Sequence, residues 1–328
     1  MYSDDFIGEV RLKPMLNALL DRNVIDDFQI ADRDMNLVGP LKTYGFTHIW
    51  CQRNVSTAQF RFLKRHANVP MIYDIDDLLT SAPNFVSNTR RRTIKRIEWC
   101  VSHAVGVTVA SHRLAANLRE DIPGMPHPPI LLKNGCLTAP ASRDVALMRR
   151  FVWASNDRPF VLKSYPDFFN RLAQLANRQG YEAVFIGRFD REHLALFDRP
   201  RHLPYLDFDS YRQFLGACAG AIGLAPLPND LPAQSQRFFD AKSDIKLVDF
   251  LSASMIPVCT LATPYATSEL LFAPLAATDP GAFLTNLERC MAEHEAMLAR
   301  VNAEIHSSGR LKEREYRHIS KALDPIFA

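Results

Sequence analysis

Short apolar runs alternate with amphipathic stretches along most of the chain. The runs HIWCQ, MIYDI and AVGVTVAS predict β-strands, whereas PMLNALLDR and TAQFRFLKRHA carry the 3.6-residue period of helices. Alternation of strands and helices favours a parallel sheet covered by helices. The run FQIAD predicts a further strand. Because helix-like sequence begins almost at Met1, the strand that usually opens such a sheet is expected to be missing.

A second series of strands and helices follows an interruption near the middle of the chain. The segment LTAPASRDVALMRR breaks the periodicity with small and charged residues and predicts a linker. Beyond it, FVWAS or RPFVLKS, then EAVFIG, GAIGLAPL and IPVCTL predict strands, and PDFFNRLAQLANRQG, SYRQFLGACA and AKSDIKLVDFLSA predict helices. The predicted division is an N-terminal Rossmann-like domain over 1–138, a linker over 139–150, a C-terminal Rossmann-like domain over 151–305 and a helical tail over 306–328.

Composition restricts the class of protein. A chain of 328 residues suits two domains, and 47% hydrophobic with 23% charged residues is typical of a globular protein. No apolar run reaches the roughly 18 residues that span a bilayer, and the N-terminus lacks a signal-peptide pattern, so a cytoplasmic protein is expected. Six cysteines without CxxC spacing argue against a zinc knuckle or a disulfide framework. A formal charge of +3 predicts no nucleic-acid partner.

Three carboxylates follow the apolar run in MIYDIDDLLT. Asp74, Asp76 and Asp77 lie where a strand ends, and ligands of parallel sheets bind beyond the carboxyl ends of strands. Three chemistries use such a cluster: a nucleophilic aspartate, a metal-binding pair of carboxylates, or a carboxylate that faces a sugar. One of the three aspartates can instead cap the following helix.

The segment AKSDIKLVDF predicts a helix with one charged face. Lys242, Lys246 and Asp249 fall within a narrow arc of that helix, and the apolar residues between them face the other way. Lysines in the first turns of a helix add to its free backbone N–H groups, a combination that binds phosphate oxygens. Ser243 adds a hydroxyl donor. The alternative is an ordinary solvated amphipathic helix.

The same segment carries a family resemblance. F-x-A-K-S-x-I-K-L-x-D-F, at Phe239–Phe250, followed by I-P-V, at Ile256–Val258, resembles the donor-binding segment of GT-B glycosyltransferases of group 1, the GT4-like family. YDIDDLL, VASHRLAANL, LLKNGC, FIGRF and GLAPL resemble further segments of the same family, in the same order along the chain.

The resemblance implies a GT-B fold, an α/β architecture of two Rossmann-like domains facing each other across a cleft. It implies a glycosyltransferase whose C-terminal domain holds a nucleotide-diphosphate sugar and whose N-terminal domain receives a glycan or lipid-linked acceptor, with retention of configuration. The family has two glutamates in its donor motif. Asp249 stands at the second, which usually holds the ribose, and Ala241 stands near the first. Ser254 replaces the usual glycine. Lysines and a helix N-terminus neutralise the diphosphate, so neither a metal nor a cofactor is expected.

The candidate site residues form three groups. The catalytic candidates are Asp76, Asp77 and Lys246, of which the lysine would stabilise the leaving diphosphate. The donor-binding candidates are Ser155, Asn156, Arg158, Lys163, Arg188, Lys242, Ser243 and Asp249. The acceptor-side candidates are Asp74, His112, Arg91 and Lys95.

The basic segment TRRRTIKRIEWC contributes two of those acceptor-side residues. Its cations suit anionic lipid head groups or a phosphorylated acceptor, so a peripheral contact with a bacterial inner membrane is expected, in polysaccharide biosynthesis. A solvated helix face is the alternative.

Two other functions stay open on the sequence. A GT-B module that binds nucleotide or glycan without turnover would explain the absent first glutamate. A phosphatase of the haloacid-dehalogenase type would use Asp74 and Asp76, but its D-x-D-x-T signature needs threonine where Leu78 stands.

Overall fold

The chain forms two compact units, each with its own parallel β-sheet. The computed structural model describes residues 8–30, 45–53, 55–82, 90–135, 145–155, 161–162, 165–307 and 315–327. Unit 1 comprises Met1–Asn134, Ala233–Ser243 and Tyr316–Ala328, and unit 2 comprises Gly135–Pro232 and Asp244–Glu315. The two parallel sheets confirm the α/β class that the alternating pattern predicts.

The strands and helices have the following bounds. The strands are β1 (Ile49–Gln52), β2 (Met71–Ile75), β3 (Gly106–Val109), β4 (Ile130–Leu131), β5 (Arg150–Ala154), β6 (Glu182–Ile186), β7 (Pro200–Leu203), β8 (Ile222–Ala225), β9 (Ile256–Thr260) and β10 (Ala276–Ala277). The helices are α1 (Lys13–Asp21), α2 (Thr57–Arg65), α3 (Arg90–His103), α4 (His112–Asp121), α5 (Phe168–Gln179), α6 (Arg191–Leu194), α7 (Phe208–Gly216), α8 (Ala233–Asp240), α9 (Ile245–Ser252), α10 (Thr263–Ala266), α11 (Pro280–Ala292), α12 (His294–Ser307), α13 (Glu315–Ser320) and α14 (Asp324–Phe327).

The sheet of unit 1 has the strand order β1-β2-β3-β4, with all neighbours parallel. Its register aligns Gln52 with Asp74 and Asp74 with Thr108, so three polar side chains stand in one row across three buried strands. Polar groups inside a buried sheet must find their hydrogen-bond partners within the protein. The row therefore needs a charged partner for Asp74.

Side-chain caps start helices in both units. Ser56 begins α2 with a capping box, in which its hydroxyl accepts from the N–H of Gln59 and its own N–H donates to the Gln59 side chain. Ser111 caps α4, and Asp207 and Asp279 cap α7 and α11. Each cap contributes about 1 kcal/mol to helix stability. The caps fix where these helices begin after the preceding loops.

The sheet of unit 2 has the strand order β7-β6-β5-β8-β9-β10, and all its neighbours are parallel. Along the chain, β5 to β7 extend the sheet in one direction and β8 to β10 extend it in the other. This is the order of a Rossmann sheet, and the reversal lies between β5 and β8. Ligands of such sheets bind beyond the carboxyl ends of the strands at the reversal. Ser155 follows β5 directly and stands at that edge.

Aromatic side chains fill the core of unit 2. Trp153 of β5 stacks on Phe169 with 5.2 Å between ring centroids and meets Phe189 edge-on at 5.4 Å. A glycine lets α9 approach the sheet, because a Cβ at Gly223 would lie 2.3 Å from the ring of Phe250. The absence of that Cβ places α9 directly on β8.

Most predicted elements are confirmed. HIWCQ, MIYDI and AVGVTVAS contain β1, β2 and β3, and FVWAS rather than RPFVLKS supplies β5. Of the predicted strand FQIAD, residues 28–30 form no strand, and none of their side chains is buried, so they offer no face to a sheet. The short edge strands β7 and β10 have no clear signal in the sequence.

The helix predicted over AKSDIKLVDFLSA is wrong in its first part. Residues 241–244 are irregular, and α9 begins only at Ile245. Lys242 therefore does not share a helix with Lys246. Asp244 is the N-cap residue of α9, but its side chain accepts from the Ser268 hydroxyl and does not cap the helix. The residues before it are held by tertiary hydrogen bonds, from Ser111 to the Ala241 carbonyl and from Asn134 to the Ser243 hydroxyl.

Unit 1 includes a segment that the sequence division assigns to the C-terminal domain. Residues 233–243 belong to unit 1. Arg237 of α8 explains this placement through ion pairs to Glu120 and Asp121 of α4, each at 2.7 Å. The segment is thus held to unit 1 by charge-assisted hydrogen bonds.

The C-terminal helices also belong to unit 1 rather than forming a separate tail. Arg22 pairs with Asp324 at 2.5 Å, and the Tyr316 hydroxyl donates to the carbonyl of Val10 at 2.9 Å. Gly106 leaves room for this packing, since a Cβ there would lie 2.4 Å from Ile326. The predicted tail 306–328 is therefore packed within unit 1 from Tyr316 on.

We expect Ser254→Gly to stabilise unit 2. Ser254 is buried and has a φ of +54°, a left-handed conformation that costs a serine about 1 kcal/mol relative to glycine. Chemical denaturation should show a rise of about 0.5 to 1 kcal/mol in the free energy of unfolding. Ser254→Ala is the control, because it removes the hydroxyl but keeps the Cβ. Equal stabilisation by both variants would show that backbone strain is not the cause.

Candidate active site

Asp74 lies in a closed hydrogen-bond network inside unit 1. Nε and Nη2 of Arg11 donate to its two carboxylate oxygens at 2.8 to 3.0 Å. Gln52 donates to Asp74 at 3.1 Å, and the Thr108 hydroxyl donates to it as well. Nη1 of Arg11 donates to Oδ1 of Asn134 at 3.2 Å. Arg11 and Asp74 are 1% and 0% exposed, so the row of polar residues across the sheet is closed by a buried ion pair.

This burial gives Asp74 a structural role in place of the predicted acceptor-side role. Neither carboxylate oxygen reaches solvent, so Asp74 cannot contact an acceptor in this structure. Burial alone would lower the pKa of Arg11, but Asp74 outweighs burial and holds that pKa above its usual value. The Arg11 guanidinium therefore stays charged. The phosphatase alternative uses Asp74 and Asp76 as nucleophile and acid–base, and the pairing of Asp74 with Arg11 does not favour it.

Asp76 and Asp77 both face Arg53, which follows β1. Nε of Arg53 lies 2.7 Å from Oδ1 of Asp76, and Nη2 of Arg53 donates to Asp77. The contact with Asp76 is close but not aligned as a hydrogen bond, so that oxygen accepts none from the described residues. Nζ of Lys242 lies 3.8 Å from Oδ1 of Asp77. All four side chains are 15% to 21% exposed, so this carboxylate cluster reaches solvent.

The two carboxyl groups of the cluster differ in pKa. Burial raises the pKa of Asp76 to about 6, with Arg53 opposing the rise and Asp77 adding to it. Burial also acts to raise the pKa of Asp77, but Lys242 and Arg53 outweigh it and hold that pKa below its usual value. A carboxyl that titrates near neutral pH beside one that stays ionised suits acid–base chemistry.

Arg53 is a site residue that no sequence pattern indicates. Its φ of +52° lies in the left-handed region, which costs a residue other than glycine about 1 to 2 kcal/mol. The conformation is held by its N–H, which donates to the carbonyl of Asp74 at 2.8 Å, and by the Tyr73 hydroxyl, which donates to its carbonyl at 2.6 Å. Backbone strain of this kind concentrates at functional sites.

The segment that carries Lys242 is fixed beside this cluster. The Ser111 hydroxyl donates to the carbonyl of Ala241 at 2.8 Å, and Nδ2 of Asn134 donates to the Ser243 hydroxyl at 3.0 Å. Lys242 and Ser243, two donor-binding candidates, therefore lie in unit 1. Ala241, near which the family has its first glutamate, is fully buried.

A second cluster lies in unit 2, where Lys246 and Asp249 of α9 meet Tyr211 of α7. The Tyr211 hydroxyl donates to Oδ2 of Asp249 at 2.8 Å, and Nζ of Lys246 lies 3.2 Å from that oxygen and 3.0 Å from the hydroxyl. Burial and the Asp249 carboxylate hold the pKa of Tyr211 well above its usual value, so the hydroxyl stays a neutral donor. Oδ1 of Asp249 accepts no hydrogen bond from the described residues, and its side chain is 18% exposed.

Two more donor-binding candidates lie at the carboxyl ends of neighbouring strands in unit 2. Ser155 follows β5, and its N–H donates to the carbonyl of Ile186 at 3.0 Å. Arg188 is exposed just beyond β6, after Gly187 with a φ of +111°. Three candidates lie outside the described residues: Asn156, Arg158 and Lys163.

Known proteins resemble this chain in structure but not detectably in sequence. No protein-family model matches the chain, and no curated protein sequence matches it. Sucrose-phosphate synthase from Thermosynechococcus elongatus has a TM-score of 0.57 at 12% identity, over 89% of this chain and 75% of that one. HepE of Anabaena in complex with UDP-glucose gives 0.56 at 15%, over 94% and 88%. S. aureus TarM, as a mutant in complex with fondaparinux, alpha-GlcNAc-glycerol and UDP, gives 0.54 at 9%, over 81% and 52%.

The chain has the GT-B fold. Each of its units contributes one of the two parallel sheets of that fold. Among the described residues, no helix is long and apolar enough to cross a membrane.

The remaining acceptor-side candidates lie on the surface of the first unit of the GT-B fold. His112 is the exposed first residue of α4, and Arg91 and Lys95 are exposed one turn apart on α3. No hydrogen bond or ion pair joins these three residues to Asp76 or Asp77. The structure thus brings Asp76, Asp77 and Lys242 together. It does not bring His112, Arg91 or Lys95 to them.

Proposed function

We propose that the chain is a glycosyltransferase that moves a sugar from a nucleotide-diphosphate donor to a hydroxyl of a glycan or lipid-linked acceptor. The observation that carries the proposal is the strand reversal between β5 and β8, in a fold shared with HepE, whose structure holds UDP-glucose. Nucleotides bind Rossmann sheets at such a reversal because backbone N–H groups at loop and helix starts converge there on the phosphates. Unit 2 is therefore the proposed donor unit.

Lys246 and Asp249 have complementary parts in the proposed donor site. Lys246 would neutralise charge that develops on the leaving diphosphate, an electrostatic contribution that is large in partly dry sites. Asp249 has one oxygen held by Tyr211 and the other without a donor, so the second oxygen is suited to accept a hydroxyl of the ribose. Tyr211 would keep that carboxylate in position.

The carboxylate cluster of unit 1 is the proposed acceptor side. Asp76, with its pKa of about 6, would take the proton of the acceptor hydroxyl, and Asp77 would hold Lys242 and Arg53 in place. Retention of configuration would require the hydroxyl to attack the anomeric carbon from the face that the diphosphate leaves, so Asp76 would have to act on that same face. A reaction with retention, and without metal or cofactor, completes the proposal in line with the family resemblance. TarM, whose complex contains fondaparinux and alpha-GlcNAc-glycerol, supports a glycan or glycerol-linked acceptor as the class to test first.

Calorimetric titration with UDP, GDP, ADP, CMP and dTDP, without metal, tests the donor site. We expect one nucleotide to bind, and Lys246→Ala to weaken that binding by about ten- to a hundredfold, because a charge-assisted hydrogen bond contributes about 1.5 to 3 kcal/mol. Lys321→Ala is the matched control, since it removes an exposed lysine of unit 1 and should leave the affinity unchanged.

Each outcome of this titration has a definite meaning. Absence of binding by every nucleotide would contradict the proposed function. Binding that Lys246→Ala leaves intact would contradict the assignment of Lys246. Nucleotide binding without sugar transfer to any glycan or lipid-linked acceptor would instead favour a binding module without turnover, a function with which the buried Ala241 is consistent.

A further inference from the structure

Positive charge is concentrated on two neighbouring helices of unit 1. Residues 57–65 of α2 and 90–103 of α3 together contain eight Lys and Arg residues and one Glu, a formal charge of +7, whereas the whole chain carries +3. The rest of the chain is therefore net acidic. The charge on these helices is a local feature and does not follow from a basic composition.

Five of the cations on these helices are exposed and have no acidic partner among the described residues. Arg61, Lys64, Arg91, Arg92 and Lys95 are all exposed, and none of them forms an ion pair with a carboxylate of the described residues. Like charges on one surface repel each other, which disfavours the folded state in the absence of a neutralising partner. An anionic partner would remove that repulsion.

Aromatic side chains lie between the cations where the two helices meet. Phe60 of α2 meets Trp99 of α3 edge-on, with 5.2 Å between ring centroids. The charged ends of Lys64 and Arg96 lie over the Phe60 ring at 5.0 and 5.7 Å. Trp99 is half-buried and stacks on His103 at 4.3 Å. Cations beside half-buried aromatic rings are typical of surfaces that meet lipid head groups.

We infer that this α2–α3 surface docks onto the anionic head groups of a lipid bilayer. Clusters of about four to eight Lys and Arg residues on helices are attracted to anionic lipids, at about 1 kcal/mol for each cation near the membrane. A nucleic acid fits less well, because Phe60 and Trp99 pack against each other and so are not splayed for stacking on bases. The docking is peripheral and places the cations at head-group level.

The α2–α3 surface is independent of the proposed reaction. Lipid binding by the α2–α3 surface requires only the charges and rings on unit 1, whereas the proposed donor site lies in unit 2. One part of the inference does rest on the proposed function: that docking brings unit 1 to a lipid-linked acceptor held in the membrane. A failure of vesicle binding with intact nucleotide binding would therefore refute the docking surface and leave the donor site standing.

Co-sedimentation of the full chain with vesicles tests the inference. One vesicle contains phosphatidylcholine alone, and the other contains about 30% phosphatidylglycerol, with salt at about 0.1 M and then at about 0.5 M. The variants are R61Q/K64Q on α2 and R92Q/K95Q on α3. R171Q/R191Q is the matched control, because it removes two exposed arginines from unit 2. Thermal denaturation confirms that each variant is folded.

We expect binding only to the anionic vesicles, and its loss at the higher salt concentration. Each charge contributes about fivefold to the affinity, so each double variant should bind about 25-fold more weakly, and R171Q/R191Q should bind as the unmodified chain does. Equal binding to both vesicles, or an equal loss in R171Q/R191Q, would overturn the inference. Tighter binding to a short DNA duplex than to the anionic vesicles at the same salt would also overturn it, in favour of a phosphate polymer.

Discussion

Arg11→Met is expected to lower the free energy of unfolding of unit 1 by about 3 to 5 kcal/mol, because it leaves the carboxylate of Asp74 buried without a counter-charge. The loss is large since water cannot reach either oxygen of a side chain that is 0% exposed. Hydrogen exchange of the β2 and β3 amides measures the effect within unit 1, independently of unit 2. We expect faster exchange in both strands.

Two controls separate the buried charge from other effects of the substitution. The double variant Arg11→Met with Asp74→Leu removes both charges and should recover most of the stability, because an apolar pair of similar volume often replaces a buried ion pair without loss. Lys13→Ala breaks the exposed pair with Glu9 and should cost under about 1 kcal/mol. If the double variant were as unstable as Arg11→Met alone, lost packing rather than the unpaired charge would be the cause.

Asp76→Asn is expected to lower the rate of sugar transfer by about a hundred- to ten-thousandfold, if Asp76 takes the proton of the acceptor hydroxyl. If so, sugar transfer by the unmodified chain should rise as the pH passes about 6, where Asp76 ionises, and the variant should lose that dependence. The affinity for the nucleotide should not change, because the donor site is proposed in unit 2. Steady-state rates between about pH 5 and 8 measure this.

The same substitution should affect stability in the opposite direction. Because the folded-state pKa of Asp76 is raised, its favourable contribution is complete below the unfolded pKa of about 4 and is lost as the pH rises through about 6. The full shift corresponds to about 3 kcal/mol, and the remaining 15% exposure of the side chain reduces our expectation to about 1 to 2 kcal/mol. Relative to the unmodified chain, Asp76→Asn should thus gain this much between about pH 4 and 7.5 in chemical denaturation.

Asp77→Asn serves as the control for both measurements. It should reduce transfer more than nucleotide binding, yet keep a pH dependence that shifts to lower pH, because the negative charge of Asp77 helps to raise the pKa of Asp76. Parallel losses of transfer and nucleotide affinity in Asp76→Asn would contradict a role in proton transfer and indicate a structural one.

Local patterns predict the sheets because each strand is buried along its own length. MIYDI and EAVFIG are apolar runs whose residues are largely inaccessible in β2 and β6, so each run carries its own signal. The Ser-Asp pair before Ile245 predicts the start of α9. The charges of Lys242 and Lys246, which fall on one face of a longer helix, predict an earlier start and are misleading.

The candidate site is harder to predict because its contacts join distant parts of the chain. Arg11 lies 63 residues before its partner Asp74, and no local pattern distinguishes that aspartate from Asp76 and Asp77. Asp74 differs from the other two because the register of β1 and β2 aligns it with Gln52 inside the buried sheet. No local sequence pattern predicts Arg53 as a site residue, because tertiary hydrogen bonds hold its left-handed backbone conformation.

The return of residues 233–243 and 316–328 to unit 1 affects how such a protein could be recombined. A chimera made by one crossover in the linker would join an N-terminal half to a foreign α8 and foreign C-terminal helices. Glu120 and Asp121 would then lose Arg237, and Arg22 would lose Asp324. Exchange of unit 1 between relatives therefore requires three separate segments of the chain, so the unit proposed as the acceptor side cannot be transferred as one contiguous stretch of gene.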